Sequence, residues 1–135
     1  MAGRDDGAEP SDTVPRITIT PCHECVIVSA GGRTVAESCA ALVLREGDYP
    51  PVFYIPRSDV RMTLLSRSEL VTHCPHKGQA THFSIAPGGD RGLNAAWSYE
   101  APLRQVCMIR DHLAFYPDRV DSIATRPRHE RSMRH

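Results

Sequence analysis

The residues best equipped for chemistry sit between Thr72 and Phe83, where one thiol, one ammonium and three imidazoles (Cys74, Lys77, His73, His76 and His82) surround a Pro75-x-x-Gly78 turn. An ammonium three residues from a thiol favours the thiolate, and the free amides of a turn add to that effect. Imidazole is a common partner of a reactive thiol. This pattern points to an activated Cys74 with Lys77 as anion binder, acting on acyl, phosphoryl or nucleotidyl groups. The plainer reading has Cys74 packed as a small apolar residue and Lys77 in solvent.

A metal is the second chemistry the residues suggest. Cys22-x-x-Cys25, joined by Cys74 and either His73 or His76, would make a Cys3His set of the kind that holds zinc. The second half lacks the regular spacing of the first, so no metal or other cofactor is expected. Positions three apart on a strand point to opposite faces, so Cys22 and Cys25 could converge only in a turn, which Pro21 permits.

Further binding candidates are Arg45, Glu46, Tyr54, Asp59, His82, Trp97 and Tyr99. Arg45 could present a planar fork to a phosphate or carboxylate. Trp97 and Tyr99 alternate onto one face of a strand, where they would line a pocket or fill a core. Gly31-Gly32 lacks the lysine of a phosphate-binding loop and reads as a turn.

The chain that must position these groups has 135 residues, 41% of them apolar, which suits one domain around one core. Sixteen basic residues balance sixteen acidic ones, so no overall field draws in nucleic acid or an acidic membrane. No apolar run approaches the ~20 residues that span a bilayer, and the N-terminus lacks a secretory pattern, so a cytoplasmic location is expected. Five cysteines in such a chain predict reduced thiols rather than a disulfide framework. Residues 1–14 read as a disordered, acidic arm, 15–123 as a single domain, and 124–135 as a solvated basic tail.

Within the domain the apolar residues alternate with a period near two, in short runs cut by Gly and Pro, which predicts an all-β, mainly antiparallel fold with a few short helical turns. Strands are expected around Ile17–Ile19, Cys25–Val28, Thr34–Val35, Ala40–Leu44, Pro51–Pro56, Leu70–Cys74, Ala80–Ile85, Ala95–Tyr99 and Leu113–Tyr116. Gly31-Gly32 and the 74–78 turn each signal a hairpin. The prolines around 52–55 suggest a sheet edge or a strand end. Ser58 or Asp59 is positioned to cap a helical turn.

Several motifs in one order resemble a known family: Gly31-Gly32 with Val35 to Ser38, Leu44-Arg45-Glu46, Tyr49 to Pro56, Asp59 to Met62, Cys74 to Gly78, Trp97 to Tyr99 and Ala114 to Pro117. They are similar to domain of unknown function 427, also labelled nucleotidyltransferase domain nine, over roughly residues 17–121. The resemblance implies an all-β, tent-like architecture of the Mss4-like type, and no established reaction. Its recurring positions map onto Arg45, Glu46, Tyr54, Pro56, Asp59, Cys74, Lys77, Gly78, Trp97 and Tyr99. Cys22 and Cys25 fall outside the family pattern, and His82-Phe83 stands where relatives often carry an aromatic pair.

The resulting expectation is a pocket of Arg45, Glu46, Tyr54, Asp59, His82, Trp97 and Tyr99 that binds an anionic small molecule, with Cys74 and Lys77 as the catalytic pair of a transferase-type enzyme. The alternative is a non-catalytic ligand-binding or interaction module, in which the same residues form a self-association face and a homo-dimer.

Overall fold

Alternating β-branched and small polar residues make short strands, and the computed structural model describes them over residues 16–128. Ten strands follow one another: β1 Ile17–Pro21, β2 Glu24–Ala30, β3 Arg33–Ser38, β4 Leu42–Glu46, β5 Val52–Pro56, β6 Leu65–Cys74, β7 Gly78–Ile85, β8 Ala96–Ser98, β9 His112–Phe115 and β10 Ser122–Pro127. Seven form one antiparallel sheet in the order β1-β4-β5-β9-β8-β7-β6, and three form a second in the order β10-β2-β3. The antiparallel, mostly β architecture agrees with the sequence reading. Short 3-10 turns fill the connections, among them Arg57–Asp59, Met62–Leu64 and, as two turns kinked at Val106, Arg104–Ile109.

The two sheets bury one core between them, containing Val26, Val28, Val35, Ile55, Phe83, Ile85, Leu113 and Phe115. Because side chains on a strand alternate, the neighbours of these residues emerge on the other face of the large sheet. There Leu44, Tyr54, Ala80, Tyr99 and Ala114 join Val106 and Ile109 of the 3-10 segment in a second, smaller cluster. Pro51-Val52 and Pro56 mark the ends of β5 rather than a sheet edge: the strand lies inside the sheet, paired to β4 on one side and β9 on the other.

Cys25 and Cys39 form a disulfide, against the expectation of reduced thiols throughout. The reason is the register of the β2–β3 hairpin. Its turn uses Gly31 and Gly32 at φ 60° and 77°, where glycine is favoured. From the turn the pairs run Ala30↔Arg33 and Ser29↔Thr34, then slip to Val28↔Ala36 and Val26↔Ser38. That one-residue bulge brings Cys25 opposite Cys39, with 4.0 Å between their Cα atoms. Without it Cys25 would face Ser38.

The ends of the domain also differ from expectation. Residues 124–127, read as the start of a tail, belong to β10 and pair with β2. Arg126 bonds Glu37 at 2.7 Å, and the Arg128 guanidinium donates to the Cys39 carbonyl at 2.6 and 2.8 Å. The arm 1–14 and the rest of the tail from 129 lie outside the described residues. The turn at Arg57–Asp59 forms without a side-chain cap; Asp59 instead accepts a 2.6 Å bond from Ser38 Oγ. Among the described residues, no helix is long and apolar enough to cross a membrane.

Candidate functional site

The 74–78 turn brings a charge to the cavity through Lys77, while the Cys74 thiol packs against the second cluster beside it. β6 ends at Cys74, whose carbonyl accepts the Lys77 amide at 3.2 Å, while the Lys77 carbonyl accepts the Leu103 amide at 2.9 Å. Gly78 follows at φ 114°, where a side chain would be strained by the backbone conformation, although a Cβ there would make only ordinary contacts with the backbone of 101–103. Pinned on both sides, the hairpin tip directs the Lys77 side chain under the large sheet. Its Nζ reaches Glu46 Oε1 at 2.6 Å, with the two side chains only 11% and 15% exposed. Glu46 is the last residue of β4 and shares a face with Leu44.

Aromatic rings make the wall opposite this ion pair. Trp97 Nε1 donates to the Tyr54 hydroxyl at 3.3 Å, with the two rings edge to face at a 6.3 Å centroid separation. Tyr116 packs against Trp97 at 4.3 Å and Tyr99 lies beside Tyr54 at 6.5 Å. Together with Tyr49, Val52, Thr72 and His82 they enclose a cavity of about 260 Å3 on the face of the second cluster. Burial pushes the Tyr54 and Tyr99 phenols well above their ordinary range, and the nearby acidic groups Cys74 and Glu46 push the same way. Both rings therefore offer neutral hydroxyls.

His82 owes its place to an irregular edge. β6 pairs with β7 at Arg67↔Phe83 and next at Val71↔Thr81, so Ser68, Glu69 and Leu70 bulge opposite His82 alone. The imidazole is 2% exposed, its Nε2 lies 3.3 Å from the Tyr116 hydroxyl, and its Nδ1 has no hydrogen-bond partner. Burial lowers its pKa, partly offset by the Ala80 and Leu70 carbonyls. The ring is neutral at pH 7, leaving Glu46 and Lys77 as the charged members of the wall, one of each sign.

Of the residues expected from the sequence, Glu46, Tyr54, Lys77, His82, Trp97 and Tyr99 line this cavity. Cys74 does not: it is partly buried against the second cluster. Arg45 points to the opposite face, exposed in a shallow groove with Thr20, Cys22 and His23. Asp59 is held by Ser38, away from the cavity. The considered zinc set is dispersed, with Cys25 in a disulfide, Cys22 against the intersheet core and Cys74 against the other cluster. The sequence reading passed over Tyr49, Thr72 and Tyr116. Two of these are tyrosines directly before a proline just outside a strand, Tyr49 in the loop between β4 and β5 and Tyr116 after the last residue of β9, and an aromatic in that position, free of the strand's alternation, is the signal that could have found them.

A two-sheet antiparallel domain with a buried ion pair facing an aromatic wall is thus the class that fold and cavity define. A family model described as Domain of unknown function (DUF427), named NTP_transf_9, matches residues 18–126, and the chain belongs to that family. No curated protein matches the sequence.

Proposed function

We propose that the cavity binds a small planar molecule whose edge carries both a hydrogen-bond donor and an acceptor, such as a carboxamide or a heteroaromatic ring. The observation that carries this reading is the Lys77–Glu46 pair, sequestered at 2.6 Å beneath aromatic rings. A buried ion pair contributes little net stability, because the lost hydration offsets the attraction. It does present an ammonium and a carboxylate side by side, a match for a donor–acceptor edge. The rings of Trp97, Tyr116 and Tyr54 supply flat apolar contact, and the neutral hydroxyls orient the ligand. At about 260 Å3 the space lies just below the ~300–1,000 Å3 range of drug-sized ligand sites, which suits one or two rings.

This revises the expected anionic ligand. Arg45 is on the other face, and Glu46 already neutralises Lys77, so a bare anion would have to displace a carboxylate. It also favours the binding alternative over covalent transfer, since Cys74 does not border the cavity. Nucleotidyl transfer through bound metal ions calls for convergent carboxylates, whereas Glu46 alone among the lining residues carries one.

Nicotinamide and nicotinate, which share a ring and differ in charge, test the reading by calorimetry and by the emission of Trp97, the single tryptophan. The unaltered chain should bind nicotinamide in preference to nicotinate. Glu46→Gln, which unmasks Lys77, should reverse that order. Preference for nicotinate before substitution would restore the anionic ligand, and silence towards both would end the reading.

A further inference from the structure

The ladder between β5 and β9 is incomplete. Their pairs are His112↔Pro56 and Leu113↔Ile55, and there the pairing stops. β9 continues beside β8 through Ala114↔Trp97 and Phe115↔Ala96, and β5 continues beside β4 through Tyr54, Phe53 and Val52. Among the described residues, no registered pair joins the third and fourth strands of the large sheet between Val52–Tyr54 on one side and Ala114–Phe115 on the other.

Trp97 stands beside this stretch. It borders the cavity with the Lys77–Glu46 pair on one face, and it also borders a second cavity of about 280 Å3 on the other face. Val52 likewise borders both. The second cavity lies between the sheets and is walled by Val28, Phe53, Ile55, Phe115, Pro117 and Ile123, together with Pro51. Among the described residues, no ionisable side chain lines it, in contrast to the first. An apolar recess of this size is a favourable place for hydrocarbon and a poor one for a polar group.

From the interrupted ladder and the wall common to both spaces, we infer that the two cavities take the two ends of one amphiphilic ligand. Its planar polar head lies on the Lys77–Glu46 side and its unbranched alkyl or acyl chain lies in the intersheet recess, with Trp97 at the junction. This rests on the reading of the polar cavity given above. It adds the substrate class: a head group bearing a hydrocarbon chain. The indole is suited to the junction because it is apolar over most of its surface while its one donor is satisfied by Tyr54. Trp97 and Val52 are the walls the two spaces share, and they stand where the registered pairing of β5 with β9 has ended.

The test compares nicotinamide, N-octylnicotinamide and 1-octanol on the full chain, read by Trp97 emission and calorimetry. Burying two or three methylenes should tighten binding by about tenfold or more, so N-octylnicotinamide should bind at least that much better than nicotinamide. Ile123→Phe narrows the recess without touching the polar cavity and should abolish the advantage while nicotinamide binds as before. Ile123→Ala, which widens the recess, should keep it and guards against misfolding of the first variant. Equal binding of the two amides, or an octyl advantage that survives Ile123→Phe, would overturn the inference. So would nicotinamide and 1-octanol binding together without competing with N-octylnicotinamide. Failure of the polar-cavity reading looks different: nicotinamide would be silent and Glu46→Gln would leave N-octylnicotinamide binding unchanged, while Ile123→Phe still weakened it. That pattern would leave a purely apolar site and exclude a two-ended ligand.

Discussion

The two faces of the large sheet are made from the same strands, residue by residue in alternation, yet they do opposite things. On one face Ile55, Phe83 and Leu113 are sealed beneath the three-stranded sheet. On the other Tyr54, His82 and Trp97 border an open cavity with a charge pair at its base. One face can minimise its surface because a second sheet covers it; among the described residues the other is covered by the 3-10 segment Arg104–Ile109, the 74–78 hairpin tip and the Tyr49-Pro50 loop, which leave space. Stability should therefore reside chiefly in the first face, and recognition of the polar head in the second.

Substitution on the covered face should have the largest effect. Leu113 is fully buried, so Leu113→Ala should cost roughly 2–5 kcal/mol in denaturant unfolding, through lost burial and a cavity. Nicotinamide affinity of the folded fraction should stay the same. A parallel loss of affinity would show that the two faces are not separable.

Next comes the disulfide that staples the covering sheet. Cys25 and Cys39 are 14 residues apart, and a loop of that length corresponds to about 3 kcal/mol of unfolded-state entropy. Reduction should lower stability by that order without altering ligand binding. Thiol counting on denatured protein should give three reactive groups, Cys22, Cys74 and Cys107, and five after reduction. Five without reductant would refute the bond.

On the open face, Lys77→Met should cost about 1–3 kcal/mol, chiefly because the Glu46 carboxylate is left partly buried without its partner. The pair Lys77→Met with Glu46→Leu should recover much of that loss while abolishing nicotinamide binding. A double variant as unstable as the single one would mean that the ion pair itself holds the hairpin tip.

The smallest effect is electrostatic. His82 has a pKa below its ordinary 6.5 because it is buried, so the unfolded chain binds its proton at a higher pH than the folded one. Unfolding free energy should then fall as pH drops below about 6.5 and level off once the folded imidazole is also protonated. His82→Phe should remove that part of the slope, visible as a flatter melting-temperature profile as pH falls below about 6.5. An unchanged profile would mean that His82 is protonated as easily folded as unfolded.

Much of this was legible in the residues. Period-two alternation identified all the strands but β10, Gly31-Gly32 marked a hairpin, and Trp97 with Tyr99 were placed on one face. Glu46, Tyr54, Lys77, His82, Trp97 and Tyr99 were chosen for their chemistry and do converge. Arg45 and Glu46 were paired as neighbours, but on a strand adjacent side chains diverge, and Arg45 turned away. Cys74 was weighted for its reactivity, which says nothing of where its strand faces. The Cys25–Cys39 bond depended on a one-residue bulge that leaves no mark in composition.

By itself, then, the order of residues determined an antiparallel β-domain, the positions of its turns and the stock of groups available to a site, because these follow from local periodicity and from the backbone needs of glycine and proline. Which strands became neighbours, where the ladder between β5 and β9 parts, and which member of each adjacent pair meets the cavity were decided only by the tertiary structure. The reason is that register and sheet order are set by contacts between residues far apart in the chain, and a slip of one position exchanges the two faces of a strand.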